Sequence, residues 1–298
     1  MSARFPLSWP WLGFALLLPA VLALVMYLHW DDRLLFWFKQ TQSSEAERQA
    51  SIWLPGYRAV LQGKAIAGLE GEELSGLSYN PASNTLFSVS GRHPALIELS
   101  LEGELLRRIA LPGFSDPEGV EILSDGRLAI IDERRRTLSI LRLDQLSDKL
   151  DPEAYPSFDL GFAEAGNKGF EGIAWDAPNQ RLLLGKERGP LGLFSLPFPG
   201  EDGAVGVLQP LGSSHLFLRD ISSLTHDARS GNTLVLSDES RLLLEVDVEG
   251  RPVSFISLSG GFSGLRRGIR QAEGVTMDGE GNIYIVGEPN LFYVLSRD

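Results

Sequence analysis

Three glutamates recur at one position of a repeated phrase: Glu118, Glu171 and Glu273 each stand before Gly and an aliphatic residue. Ser75 and Ser222 hold that position in two further copies, and Asp116 and Asp220 lie two residues before it. The copies end in a second polar column, with Glu133, Glu187, Glu239 and Glu288 in four of them and Asp132 and Asp238 alongside. Carboxylate and hydroxyl oxygens gathered in this way suit a hard cation such as Ca2+, whose ligands sit at about 2.3–2.6 Å. The metal-ligand candidates are Glu118, Glu171, Glu273 and Asp220, with Glu133, Glu187, Glu239 and Glu288 as an outer ring on the same face. Zinc is not indicated, because the chain has no Cys and its four histidines do not cluster. The acids also have a second reading. Lys168, Arg219 and Arg270 each stand three residues before an inner position, and Arg134, Lys186 and Arg241 flank the outer column. The same carboxylates could therefore form a salt-bridge network instead of a metal site. His93 is the histidine placed on the acidic face and is the candidate general base. His226 reads as a turn residue on the opposite face, His215 falls in a connection, and no nucleophile motif, phosphate loop or dinucleotide fingerprint occurs.

These residues must be positioned by the phrase that carries them. Residues 75–90, 118–133, 171–187, 222–239 and 273–288 each read as strand, polar turn, strand. Their starts are separated by 43, 53, 51 and 51 residues. A third strand follows each, as in ALIELSL (95–101) and RLLLEVDV (241–248), and a fourth follows most, as in PVSFISL (252–258). Four strands at that period describe a propeller blade. The expected fold is all-β: a five-bladed β-propeller of four-stranded blades over residues 55–298. The fifth copy ends after its third strand, so YRAVLQGKAI (57–66) is expected to complete the last blade and close the ring. In a propeller the first strand of each blade lines the axis, and both acidic columns then fall on one face.

Ahead of the propeller, 26 residues between Arg4 and Asp31 carry no formal charge. A helix crosses the hydrocarbon core with about 20 such residues. Trp9, Trp11, Tyr27 and Trp30 stand near the ends, where headgroups favour aromatic rings, and no small-x-small cleavage site follows. Residues 1–32 are therefore expected to form a cytoplasmic N-terminus and an uncleaved transmembrane helix, with residues 7–30 in the membrane. Residues 33–54 read as a juxtamembrane helix and linker.

Composition agrees with one large domain: 43% hydrophobic residues support a substantial core, and 32 Gly with 17 Pro suit many tight turns. A net charge of −12 argues against nucleic acid as a partner. The strings SGLSYNP, FEGIAWD, KERGPL (186–191), LVLSDESRLLLEVD and AEGVTMDGEGNIYIV resemble the SdiA-regulated family of bacterial envelope proteins, over roughly residues 55–296 and the anchor. That resemblance implies a five-bladed propeller distantly related to NHL repeats, a calcium site, and no settled activity. The Glu-Gly-aliphatic openings also look like those of six-bladed calcium-dependent lactonases and phosphotriesterases. The expected protein is a calcium-binding propeller held on the periplasmic side of a bacterial inner membrane, binding a small molecule, a glycan or an envelope protein on its acidic face. The alternative is a calcium-dependent hydrolase of esters, lactones or phosphoesters.

Overall fold

Each repeated phrase folds as a hairpin because its two apolar runs are split by a residue that caps its own turn. Asn80, Asp176, Asp227 and Asp278 all accept hydrogen bonds from backbone N–H groups two or three residues ahead. The computed structural model describes residues 9–142, 156–162, 169–198, 205–212 and 216–297, with side chains from Leu17 onward. It divides into two compact units, residues 1–44 and 45–298.

The second unit is the propeller, with five four-stranded antiparallel sheets. Blade 1 is β2 (Leu74–Asn80), β3 (Thr85–Ser90), β4 (Ala95–Leu99) and β5 (Leu105–Ala110). Blade 2 is β6 (Pro117–Ile122), β7 (Arg127–Asp132), β8 (Thr137–Arg142) and the short β9 (Ser157–Asp159). Blade 3 is β10 (Phe170–Asp176), β11 (Arg181–Lys186), β12 (Gly192–Pro197) and β13 (Gln209–Pro210). Blade 4 is β14 (Ser223–Asp227), β15 (Asn232–Ser237), β16 (Leu242–Val246) and β17 (Pro252–Ser257). Blade 5 takes β18 (Ala272–Met277), β19 (Ile283–Gly287) and β20 (Leu291–Arg297) from the end of the chain, and its outer strand is β1 (Tyr57–Ala65).

The ring therefore closes through the pairing of β1 with β20, from Tyr57 opposite Arg297 to Ala65 opposite Leu291, with two irregularities between Ala59 and Lys64. A buried latch extends it: Ile66 N donates to Asn290 O at 2.9 Å, and the Asn290 side-chain Nδ2 donates back to Ile66 O at 2.9 Å. The inner strands β2, β6, β10, β14 and β18 pack side by side around the axis. Apolar residues fill the seams between sheets. Leu77, Leu86 and Ile97 of blade 1, for example, meet Val286, Phe292 and Tyr284 of blade 5. Each sheet alone would leave two such faces wet, and stacking removes both from water.

The segment before β1 is tied to blade 4. Helix α3 (Glu45–Gln49) and a single turn of 3-10 helix (Leu54–Gly56) flank residues 50–53. The fully buried carboxylate of Glu245 accepts hydrogen bonds from Ile52 N at 2.7 Å, Trp53 N at 3.1 Å, Asn232 Nδ2 at 2.6 Å and Ser254 Oγ at 2.5 Å. Four donors replace the water this carboxylate loses on burial.

In the first unit, α1 (Trp9–Tyr27) is 19 residues long and contains Pro19, and α2 (Trp30–Thr41) begins after His29, whose φ of 52° turns the chain. Asp31 and Asp32 lie in the first turn of α2, where the helix dipole favours negative charge. Among the described residues, no helix is long and apolar enough to cross a membrane.

Candidate functional site

Close approach of neighbouring inner strands brings the repeated acids together. The glycine after the repeat position in blades 1, 2, 3 and 5 is what permits it. A Cβ on Gly119 would lie 2.5 Å from the carbonyl oxygen of Glu171, and one on Gly76, itself at φ +57°, would lie 2.7 Å from that of Glu118. No side chain fits there, so Gly is required. In blades 1 and 4 the serine at the glutamate position ties adjacent blades instead. Ser75 Oγ donates to the Glu118 carbonyl at 2.9 Å and Ser222 Oγ to the Ala272 carbonyl at 2.7 Å.

The inner glutamates face one another's charge. Burial pushes Glu118 and Glu171 well above the ordinary carboxylate range, and neighbouring acids push further. For Glu118 these are Asp116, Glu273 and Glu133; for Glu171 they are Glu187, Glu118, Glu273 and Glu133. Burial, with Asp238, Glu288, Asp220 and Glu187, raises Glu273 to about 8. Burial and the neighbouring acids thus favour the protonated form of all three, and a bound cation would favour the ionised form instead.

The tightest grouping crosses the two predicted columns. Glu133, at the end of β7, and Glu187, at the end of β11, join the inner Glu171, and each offers an oxygen within 4.8 Å of the other two. This cluster lies at the seam of blades 2 and 3. Glu133 is buried and accepts the Gly169 N–H at 2.8 Å. Glu187 is paired with Arg188 at 2.6 Å. Among the described residues no hydrogen-bond donor is found for the Glu171 carboxylate, and its neighbours Glu133 and Glu187 are likewise raised by burial.

The other predicted positions are held by protein partners. Glu239 bridges Arg188 at 2.8 Å and Arg219 at 2.9 Å, and Glu288 accepts from Gln271 Nε2 at 2.6 Å. Asp220 takes the Ser237 hydroxyl and the Glu239 N–H at 3.1 Å, so it organises the loop after β15. Asp116 pairs with Arg134 at 2.8 Å. The network and the cluster thus coexist: cations neutralise much of the outer column, while the inner column and Glu133 lack such partners among the described residues. Of the flanking cations, Lys168 lies outside the described residues, as does His215. Lys186 is fully buried beneath this face, bonded to the Arg188 carbonyl and 5.5 Å from the Phe162 ring centre.

His93 is solvent-exposed and sits 3.2 Å from Glu72, which also binds Ser90 Oγ at 2.7 Å and Arg108 at 2.9 Å. His226 is not a turn residue. It lies within β14, bonded to Thr233 at 3.2 Å and 3.6 Å from Asp176 of blade 3, because the turn starts one residue later, at Asp227.

One acid escaped the sequence reading. Glu121 sits three positions after Glu118, where the other copies carry Ser78, Ala174, Thr225 and Thr276. Burial raises it to about 8, and it accepts the Trp175 N–H from blade 3. A carboxyl in a column of hydroxyls and alanine was the available signal.

With this geometry in place, comparison with known proteins adds a family match. The model of the SdiA-regulated family matches residues 49–296. Among solved structures, a chain of a nidogen/laminin complex is 16% identical, with 75% of each chain covered and a TM-score of 0.51. A virginiamycin B lyase from Staphylococcus aureus is 10% identical, covering 81% of this chain and 100% of that one at a TM-score of 0.48. A gluconolactonase from Xanthomonas campestris is 13% identical, covering 81% and 97% at 0.45. The nidogen/laminin likeness is one of fold alone.

Proposed function

The chain belongs to the SdiA-regulated family, and from that premise we propose that it is a membrane-anchored, extracytoplasmic propeller whose acidic face binds Ca2+ and, so charged, holds a small molecule, a glycan or an envelope protein. The observation that carries the cation is the Glu133–Glu171–Glu187 cluster. Oxygens on opposite sides of a Ca2+ ion stand about 4.6–5.2 Å apart, twice the usual ligand distance. A mutual separation within 4.8 Å meets that requirement, and an all-oxygen donor set suits a hard ion. Glu171 and Glu133 would hold the ion and Glu187 would exchange part of its bond to Arg188. The ion would supply positive charge to the carboxylates that lack a cationic partner among the described residues. The anchor rests on the 26 uncharged residues before Asp31, most of them in α1, with the short N-terminus on the cytoplasmic side.

The test uses the full chain in nonionic detergent. Melting in calcium should occur above melting in chelator, because an ion that binds only the folded state stabilises it by mass action. Glu171→Gln should remove most of that difference. Equal melting in calcium and chelator would make the acidic face purely structural.

A second reading, hydrolysis of esters, lactones or phosphoesters, is favoured by Glu273. A carboxyl held at about 8 can both give and take a proton near neutrality. A bound Ca2+ would polarise the carbonyl or phosphoryl oxygen of a substrate. Turnover of an ester, lactone or phosphoester panel that disappears with chelator would favour this reading, and no turnover in calcium would eliminate it.

A further inference from the structure

A basic cleft of about 770 Å3 opens on the rim of blade 5, in a protein of net charge −12. It lies between the outer strand β1 and the connection from β17 to β18, and Arg266, Arg267 and Arg270 line one side of it. All three are exposed, and among the described residues none has a carboxylate partner. Elsewhere in the propeller arginines are commonly paired: Arg107 with Glu98, Arg181 with Asp176, Arg229 with Asp227, Arg251 with Asp247. The opposite wall is apolar and aromatic, formed by Val60, Leu291 and Tyr293. Arg270 lies close enough to the Tyr293 phenol to oppose the effect of its burial.

The loop that carries the arginines is held in place before any ligand arrives. Leu265 and Ile269 are buried on either side of Arg266 and Arg267, Arg270 follows directly, and Ile269 N donates to the Leu258 carbonyl at 3.0 Å. Gly260 packs against the same stretch, where a Cβ would lie 3.2 Å from the Arg267 Cα. On the β1 side, Gln62 accepts the Arg266 N–H at 2.9 Å and donates to the Gly264 carbonyl at 2.9 Å. The irregular pairing of β1 between Ala59 and Lys64 is what turns Val60, Gln62 and Gly63 toward the cleft instead of continuing the ladder.

Three like charges on one fixed loop repel one another, and an anion removes that repulsion. A single carboxylate would neutralise one of the three. A phosphoryl group carries up to two charges and three oxygens, and the planar guanidinium fork matches its geometry. We propose that this cleft binds a phosphoryl group, either on a soluble phosphate compound or on a phospholipid headgroup, with Arg266, Arg267 and Arg270 as its partners and Val60 and Leu291 against the apolar part of the ligand. The site is separate from the acidic cluster of blades 2 and 3 and does not depend on calcium.

The test is isothermal titration of the full chain, in nonionic detergent and chelator, with inorganic pyrophosphate and separately with short-chain phosphatidic acid. Binding of pyrophosphate supports a soluble source, and binding of phosphatidic acid alone supports the headgroup. In either case Arg266→Gln/Arg267→Gln/Arg270→Gln should weaken binding by about tenfold or more. The triple Lys variant should keep part of it, since charge survives while the fork is lost. If the triple Gln variant does not fold, Arg267→Gln alone should still weaken binding by about threefold. No binding of either probe to the unaltered chain, or binding that a folded Gln variant leaves unchanged, overturns the proposal.

Discussion

Glu121 on blade 2 accepts the backbone N–H of Trp175 on blade 3 at 3.1 Å, in the place where blades 1 and 5 use a hydroxyl. Ser78 accepts from Ile122 N at 3.0 Å and Thr276 from Tyr79 N at 3.0 Å. The three contacts join one inner strand to the next, but only the carboxyl can titrate in the physiological range.

Burial raises folded Glu121 to about 8, above its ordinary value of 4.5. Between those values the folded state keeps a proton that the unfolded state has lost. The stability this contributes is full below about 4.5 and disappears as pH rises towards 8, at up to about 1.4 kcal/mol per pH unit. Glu121→Gln keeps the acceptor and removes the proton. Its unfolding free energy from denaturant titration should therefore exceed that of the unaltered chain at pH 8 and converge with it near pH 5. Parallel pH profiles for the two proteins would show that Glu121 does not titrate in this window.

Calcium should compete with protons at the Glu133–Glu171–Glu187 cluster, since burial and neighbouring acids favour the protonated forms of all three. Affinity should rise from pH 5.5 to pH 8, and binding should release protons, seen as a buffer-dependent heat in calorimetry. Glu171→Gln should lower affinity by about tenfold or more. An affinity independent of pH would separate the ion from these acids.

Glu245→Leu should destabilise the propeller by about 3–5 kcal/mol, because Ile52 N, Asn232 and Ser254 all lose a buried charged acceptor together. Chemical denaturation measures this directly. A loss below about 1 kcal/mol would mean water replaces the carboxylate readily.

Asn290→Ala removes the side-chain half of the ring latch at Ile66 and should cost about 1–3 kcal/mol, the penalty for leaving a buried carbonyl less satisfied. Hydrogen exchange should localise the loosening to β1 and β20, more than 220 residues apart in sequence. Uniform loosening of all five blades would contradict a local latch.

The blades were legible because the inner hairpin is the part of a blade with the strictest demands. It needs Gly at the close approach of Gly119 to Glu171, an Asx residue at the turn, and an apolar run behind it. The closing strand was legible from arithmetic, since the fifth copy lacked its outer strand. The outer strands β9 and β13 face weaker demands and are only three and two residues long. In the candidate site, the repeat supplied the two acidic columns and their positions in each copy. It could not say that Glu171 would meet Glu133 and Glu187 of the outer column, because that depends on how blades 2 and 3 lean together. Glu245 was equally hidden: in RLLLEVDV it looks like a solvent-facing strand residue, and its partners at Ile52 and Trp53 are about 190 residues away.

The position of Glu245 also decides how the propeller would bear mechanical load. A pull transmitted along the chain from residue 45 does not reach the closing strand first. It meets the backbone of Ile52 and Trp53, clamped to blade 4, and only then Tyr57 at the start of β1 in blade 5. Two neighbouring blades thus share the tether. The antiparallel seam between β1 and β20, which would peel one bond at a time if loaded from its end, is shielded by a clamp whose bonds must fail together.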